Sequence, residues 1–374
     1  MKRRAALIIA IALLCASCSG MLEQEYQVIA PHIDTPPNAS AQPGGAFRAS
    51  NYAELKTAIL RVVRGGDATI RLRGYNGDPE SDVQRACRSV LNEEPIGAYA
   101  LDFLNYGIVP MMMDYEVTVS LSRRRSIQQI SEIKTVSGPS EFRERLDALL
   151  SGIETEFTVE TNYYQETSYE ISDMLRTLYD SKPLRAQGFP EMSVSLYPDS
   201  GLRRIIELKL SYPLIETERL RREQLCQQEA ERLSKPGASP SSLYDALFEL
   251  CEFDDEQYAV LQSGDPDVRA TIYDALVTRR ALPESFALAY KALCDAAGVP
   301  CKVVHGRRGP DEHVWNMIEV DGDWYHVDVG ADRKGGTLTH DWFLLSDERM
   351  PDDYRWDTAK YPAAVGDLTY EDFA

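Results

Sequence analysis

Between residues 270 and 328, a helix-length apolar segment is followed directly by strand-like segments, and this order most constrains the fold. Residues Glu284 to Ala297 predict the helix. Among the strand-like segments, Asp321-Gly322-Asp323 has the composition of a tight hairpin turn. The sequence therefore predicts an α+β fold for this part of the chain, with a helix followed by a hairpin.

Short motifs along this segment carry a family resemblance. In chain order they are Phe286-Ala287, Gly298-Val-Pro300, His313-Val-Trp-Asn316 and Asp321-Gly-Asp-Trp-Tyr-His-Val-Asp328. This pattern resembles the transglutaminase-like, papain-related domain, and the resemblance spans about residues 240–360. It implies that residues 240–374 form a domain in which a helix packs on an antiparallel sheet.

The resemblance also implies roles for individual residues. His313 falls on the family's catalytic base and Asp328 on the acid that orients it, while Pro283 stands where the family has its nucleophilic cysteine. In that family a thiolate attacks an acyl carbon and the histidine protonates the leaving amine. Proline suits the first position of a helix, but its ring has no nucleophilic atom. The resemblance therefore implies a pseudoenzyme, in which the helix is kept and the chemistry is lost.

The sequence leaves two questions about this site open. Ser285 takes the family's Gly position; as a nucleophile it would make the protein an active enzyme, but the favoured interpretation is an N-terminal helix cap. His313 and Asp328 either belong to a cleft that still binds a ligand or keep a hydrogen bond between neighbouring strands. The predicted cleft residues are Glu284, Ser285, Phe286, Trp315, Asn316 and Trp324.

Composition and spacing exclude several classes of partner. The formal net charge is −19 and no basic stripe offsets it, so we expect no nucleic acid partner. His305, His313 and His326 belong to separate predicted strands and lack metal-ligand spacing. We therefore expect neither a metal nor a cofactor.

The first residues are typical of an exported protein. A basic start, Met1-Lys-Arg-Arg4, precedes an apolar run that is too short to span a membrane. Ala16-Ser17 before Cys18 resembles the bacterial lipobox, which implies removal of residues 1–17 and a lipid on Cys18. The alternative is an ordinary cleaved signal with an incidental cysteine. We expect a protein anchored by its lipid to the extracytoplasmic face of the cell membrane, with residues 18–46 as the lipidated end and flexible tether.

Residues 47–213 show helix, strand, helix and strand twice, which indicates an internal duplication. We predict two small α+β units, 47–136 and 137–213, each with one sheet face covered by helices. Residues 214–239 follow as a linker, with a charged and solvated helix from Glu216 to Leu233. The last domain, 240–374, is predicted to begin with helices at Ser242 to Phe248 and Pro266 to Thr278.

Five cysteines follow Cys18, so outside the cell at least one thiol is left unpaired. We interpret Cys294 and Cys301 as core residues, while a disulfide between Cys226 and Cys251 stays an open possibility.

The leading hypothesis is a surface-anchored bacterial lipoprotein whose inactive transglutaminase-like domain binds a peptide, a cell-wall fragment or a protein partner. One alternative is an active acyl-transfer enzyme, a transglutaminase or peptidase, with an unorthodox nucleophile. Another is a purely structural interaction protein in which the duplicated half does the work.

Overall fold

The computed structural model describes residues 46–66, 68–151, 155–163, 165–265 and 268–373. The predicted signal peptide, the predicted lipid site at Cys18 and the tether up to residue 45 lie outside these residues. These described residues divide into two compact units, one with those up to Val90 and Phe103–Ser122, the other with Leu91–Asp102 and those from Arg123 onward. Within the described ranges, no helix combines the length and the apolar character needed to cross a membrane.

The first unit is built on a four-stranded sheet in the order β1-β2-β4-β3. The elements along this part of the chain are β1 (Phe47–Ala49), α1 (Tyr52–Val63), β2 (Thr69–Arg73), α2 (Pro79–Asn92), β3 (Leu101–Pro110) and β4 (Asp114–Arg123). Asn51 caps α1, because its side chain accepts a hydrogen bond from the Glu54 amide at 3.0 Å. Ile70 and Leu72 alternate with exposed arginines along β2, so one sheet face is buried.

A second four-stranded sheet, in the order β5-β6-β8-β7, lies in the second unit. The elements here are α3 (Pro95–Ala100), α4 (Ile127–Ser131), β5 (Lys134–Val136), α5 (Pro139–Ser151), β6 (Glu156–Thr161), α6 (Ser168–Asp180), a 3-10 turn (Pro183–Arg185), β7 (Glu191–Tyr197) and β8 (Arg204–Ser211). β1–β2 and β5–β6 are parallel, whereas β2–β4 and β6–β8 are antiparallel. The two sheets repeat one topology, while the predicted boundaries at residues 136 and 213 stay predictions.

The rest of the second unit packs a long helix on a five-stranded sheet in the order β14-β13-β12-β11-β15. Its elements are α7 (Glu216–Leu233), α8 (Pro240–Leu250), β9 (Glu252–Phe253), α9 (Asp255–Gln262), a π-helical turn (Asp274–Thr278), β10 (Arg280–Ala281), α10 (Pro283–Ala297), β11 (Cys301–Arg308), β12 (Asp311–Val320), β13 (Asp323–Val327), α11 (Val329–Gly335), β14 (Phe343–Leu345), β15 (Tyr354–Trp356) and a 3-10 turn (Tyr370–Phe373). All four strand pairings in this sheet are antiparallel. The predicted α+β fold, with a helix on an antiparallel sheet, is confirmed.

The hairpin between β12 and β13 has the predicted two-residue turn. Asp321 and Gly322 both have positive φ, 53° and 92°. A type I′ turn requires this backbone at both positions, which favours the Asp-Gly pair. The turn therefore sets the register that pairs Ile318 with Tyr325.

Two predicted helices differ from the structure. Of the helix predicted at Pro266 to Thr278, residues 266 and 267 lie outside the described residues. The prediction was wrong for 268–271, because helical structure begins only after Thr271, whose amide and hydroxyl both bond the Asp274 carboxylate. The helix Glu216–Leu233 has the predicted bounds but is more than a solvated linker. Its Cys226 and Ala230 are fully or almost fully buried in the core that contains α10.

The five cysteines of the described residues are free and buried. The structure therefore contains no Cys226–Cys251 disulfide, and Cys294 and Cys301 lie in the core as predicted. Burial raises the pKa of the Cys226 thiol to about 11 and that of Cys251 to about 12. These thiols stay protonated at neutral pH, so they are poor nucleophiles.

Candidate active-site cleft

The start of α10 forms one wall of a cleft of about 750 Å³. Leu282 precedes the helix in an extended conformation, and Pro283 is its first helical residue. The fixed φ of proline fits this position, where the backbone N–H has no partner inside the helix. Pro283 is buried and lines the cleft together with His313 of β12. The structure thus brings the predicted nucleophile position and the predicted base to the same cavity.

His313 and Asp328 form a hydrogen bond of 2.6 Å between His313 Nε2 and Asp328 Oδ2. The hydroxyl of Tyr354 donates to the same carboxylate oxygen at 2.8 Å, and the Ala331 amide donates to Asp328 Oδ1 at 2.9 Å. Asp328 is the N-cap of α11, and its side chain is 4% exposed. Three donors therefore surround one buried carboxylate, as a buried charge requires.

Burial and hydrogen bonding act in opposite directions on this carboxylate. Burial by itself would raise the pKa of Asp328, but the charge and hydrogen bond of His313, with the Tyr354 and Ala331 donors, hold that pKa below its usual value of 3.8. Burial and the Asp328 charge raise the pKa of Tyr354. The aspartate is thus ionised and the tyrosine neutral at neutral pH.

Two buried polar atoms at this end of α10 have no hydrogen-bond partner within the described residues: His313 Nδ1 and Ser285 Oγ. Because Nε2 of His313 is bonded to Asp328, Nδ1 is the ring nitrogen left for a nucleophile or a ligand. Ser285 is fully buried at the third helical position, while Leu282 occupies the cap position. The predicted role of Ser285 as helix cap was therefore wrong.

Residues from the segment before α7 complete the wall of the cleft. Arg176 of α6 and Phe189 line it, and Arg176 forms an ion pair of 2.5 Å with Glu284. Arg176 also lies 3.7 Å from Asp180, whose other oxygen bonds His305 Nε2 at 2.7 Å. Sequence reasoning missed Arg176, Asp180 and Phe189, because no local pattern signals contacts between residues far apart in the chain, such as the 108 residues between Arg176 and Glu284.

The other predicted cleft residues mostly pack or bond within the domain. Glu284 lines the cleft, whereas Ser285, Phe286, Trp315, Asn316 and Trp324 are not among the residues that line it. Trp315 donates to His326 Nδ1 at 2.9 Å, and the Asn316 amide donates to the Ala287 carbonyl at 2.9 Å. Asn316 therefore ties the central strand β12 to α10.

Histidines in the described residues pair with aspartates rather than gather at one site. His326 bonds Asp347 at 2.9 Å and His340 bonds Asp245 at 2.6 Å. Over the part of the chain that the structure describes, no group of three His, Cys, Asp or Glu residues could hold a metal ion.

Part of the chain matches the model of a known protein family. Residues 223–329 match the model of the transglutaminase-like superfamily, from within α7 to the first residue of α11. Residues 223–329 belong to a transglutaminase-like domain. The match begins inside the helix that was predicted to be a linker, which agrees with the burial of Cys226 in the transglutaminase-like core.

Three solved structures are weakly similar to this chain. A transglutaminase is 11% identical, with 63% of this chain and 67% of that chain covered and a TM-score of 0.28. A candidate cysteine protease from Cytophaga hutchinsonii is 13% identical, covers 48% and 72%, and has a TM-score of 0.23. The periplasmic domain of TgpA from Pseudomonas aeruginosa is 15% identical, covers 40% and 68%, and has a TM-score of 0.17. No curated protein matches the chain in sequence.

Loss of Arg176 should destabilise the transglutaminase-like domain. Arg176→Ala leaves the partly buried Glu284 and Asp180 without their cation, so we expect a loss of about 1.5–3 kcal/mol in the free energy of unfolding. Chemical denaturation measures it. Arg185→Ala is the matched control, because the more exposed Arg185–Glu223 pair should contribute at most about 1 kcal/mol. Equal effects of the two changes would contradict the assigned role of Arg176.

Asp328→Asn should destabilise the protein in a pH-dependent way. Because the pKa of Asp328 is lower in the folded state than its usual value of 3.8, the ionised carboxylate stabilises the fold at pH values above 3.8. This stabilisation disappears as the pH falls through the folded-state pKa. We expect a loss of about 3–5 kcal/mol at pH 7, since His313 loses a buried partner, and a shrinking difference from wild type below about pH 4. Urea unfolding from pH 3 to 7 measures this. Asp367→Asn, on the exposed C-terminal segment, is the control; a pH-independent difference for Asp328→Asn would contradict the argument.

Proposed function

We propose that this protein is a surface-anchored bacterial lipoprotein whose transglutaminase-like domain binds a peptide, a cell-wall fragment or a protein segment without acyl transfer. One observation carries the proposal: Pro283 and His313 line the same cleft, and no cysteine, serine or threonine is among its described lining residues. The predicted base and its predicted orienting acid are in place, but the described lining offers no thiol or aliphatic hydroxyl that could give its proton to the base and attack an acyl carbon.

The other candidate nucleophiles lie in the wrong places. Ser285 is fully buried and does not line the cleft, so the unorthodox-nucleophile alternative gains no support from it. Cys294 is eleven positions beyond Pro283 in α10, about 16 Å along the helix axis. Burial raises the pKa of its thiol well above the usual value. A reaction at the cleft would therefore need a nucleophile from outside this chain.

The cleft supports binding of a ligand with both polar and apolar groups. Its rim carries cations and anions, with Arg269 and Arg307 on one hand and Asp311 and Glu312 on the other. Apolar side chains, including Tyr258 and Leu261, line the same cavity. A peptide, with its amide groups, side chains and charged ends, matches such a mixed surface better than a purely apolar molecule does. The free His313 Nδ1 adds one buried hydrogen-bonding atom.

A cysteine at position 283 should restore chemistry that the wild type lacks. At the first position of α10 a thiol has its pKa lowered by the helix N-terminus, and His313 could take its proton. We expect an inert wild type and, in Pro283→Cys, labelling by iodoacetamide at one residue together with hydrolysis or amine transfer on acyl-donor peptides. The protein for this experiment is the chain from residue 19 onward, whose five native cysteines are buried and should not react in the folded protein.

Two controls decide what the result means. Pro283→Ala removes the proline without adding a thiol and should stay inert, and adding His313→Ala to Pro283→Cys should abolish the activity. Catalysis by the wild type that disappears in His313→Ala would overturn the proposal.

Binding is tested separately, by the rise in Tm with a panel of wall peptides. Leu261→Arg, which changes a cleft residue, should abolish that rise in Tm. Leu220→Arg, which changes an exposed side chain of α7, should not.

The anchored location rests on the N-terminal sequence. Lipid attachment to Cys18 would hold the protein at the membrane surface, and the predicted tether would let the cleft reach ligands there. We expect palmitate labelling of the chain in a bacterial host and its loss in Cys18→Ala. Cys87→Ala, which changes a buried cysteine instead, should keep the label. An unlabelled wild type would contradict the anchor.

A further inference from the structure

Strand β3 lies at the edge of the first sheet and is an unusually open edge. Among the described residues its only neighbouring strand is β4, so one side of its ten-residue backbone has no strand partner. From Phe103 through Met113 the sequence has no charged residue. Native edge strands are ordinarily protected by charges, proline, short length or bulges. In β3 the charge Asp102 and the proline Pro110 lie only at the two ends, so the span from Phe103 to Val109 favours pairing with another strand.

The side chains of β3 alternate between two environments. Phe103 and Val109 are 51% and 58% exposed, while Leu104, Tyr106 and Ile108 are half-buried. The exposed apolar side chains thus lie towards the two ends of the strand, and Tyr106 lies midway between them. Pairing of this edge with another strand would partly cover both exposed side chains.

The order of residues in β3 points to the partner. Read in both directions from Tyr106, the strand presents similar residues: Asn105 and Gly107 are small or polar, Leu104 and Ile108 are aliphatic, and Phe103 and Val109 are apolar and exposed. In an antiparallel pair of identical strands centred on Tyr106, Phe103 of each copy lies opposite Val109 of the other. We infer that two copies of this chain associate through antiparallel β3 strands, with Tyr106 on the two-fold axis.

Charge favours this contact over other parts of the surface. The chain has a net charge of −19, so two copies repel each other over most of their surface. The nearest acid on the N-terminal side, Asp102, lies 3.6 Å from Arg124 of the same chain. In the register centred on Tyr106, Asp102 lies opposite Pro110 of the other copy and not opposite another acid. The paired edge therefore brings no like charges together.

The equivalent edge of the second sheet provides an internal comparison. β7 also lies at the edge in the repeated topology, but its exposed positions are Glu191 and Ser193, and it has no large exposed apolar side chain. Polar and acidic outer positions weaken strand pairing between copies. The inference therefore assigns association to β3 and leaves β7 as the control.

Sedimentation equilibrium of the chain from residue 19 onward tests the association. The wild type should be a dimer. Phe103→Lys with Val109→Lys places lysine opposite lysine twice and should raise the dimer dissociation constant by at least about tenfold. Phe103→Lys with Val109→Glu places lysine opposite glutamate twice and should restore the dimer. Both sites are exposed, so neither pair of changes disturbs the core. Equal weakening by the two pairs would overturn the proposed register.

Oxidative cross-linking tests the two-fold axis. In Tyr106→Cys the two new thiols meet at the axis and should form a covalent dimer, since the native cysteines are buried. Val194→Cys, at the centre of β7, should remain uncross-linked. A wild type that is monomeric at all concentrations, or one that is dimeric but unaffected by the double lysine change, would refute the inference. Cross-linking of both cysteine variants to the same extent would also refute it.

Discussion

The carboxylate of Asp328 is the point on which the C-terminal part of the structure depends. It is buried, and it accepts hydrogen bonds from His313 of β12, Tyr354 of β15 and the Ala331 amide at the start of α11. Three elements that are separate in sequence thus share one buried charge. Removing a partner from such a charge costs several kcal/mol. The His313–Asp328 pair therefore has a structural reason to exist whether or not the cleft carries out chemistry.

The first position of α10 sets different requirements for helix structure and for cysteine chemistry. A cysteine enzyme needs a thiol at the helix N-terminus, where the helix dipole lowers the pKa of that thiol. The helix itself needs only a residue that tolerates the first position, and proline does so well. The 15-residue α10 is intact and largely buried. The helix that forms this wall of the cleft therefore does not need a cysteine at position 283.

Local signals explain which features could be predicted from the sequence. The α10 helix and the Asp321-Gly322 turn follow from short-range pattern and backbone preference, and the motifs point to His313 and Asp328. The helix predicted at 266–278 was wrong for residues 268–271, because the hydrogen bonds between Thr271 and Asp274 start the helical turn later. Strand β3 was missed because Asn105, Gly107 and Pro110 interrupt its apolar pattern. Arg176 was missed because its partner Glu284 is 108 residues away.

The second repeat, the predicted unit 137–213, shares its hydrophobic core with the transglutaminase-like domain. One continuous core contains Phe142 and Leu175 of the repeat as well as Leu293 and Tyr325 of the domain. Because these residues pack in a single core, removal of either part would expose apolar surface of the other. The same repeat places Arg176 in the cleft wall beside Glu284, directly after Pro283. A ligand in the cleft would therefore contact both parts, so a structural role for the repeat and a binding role for the domain are not separate alternatives.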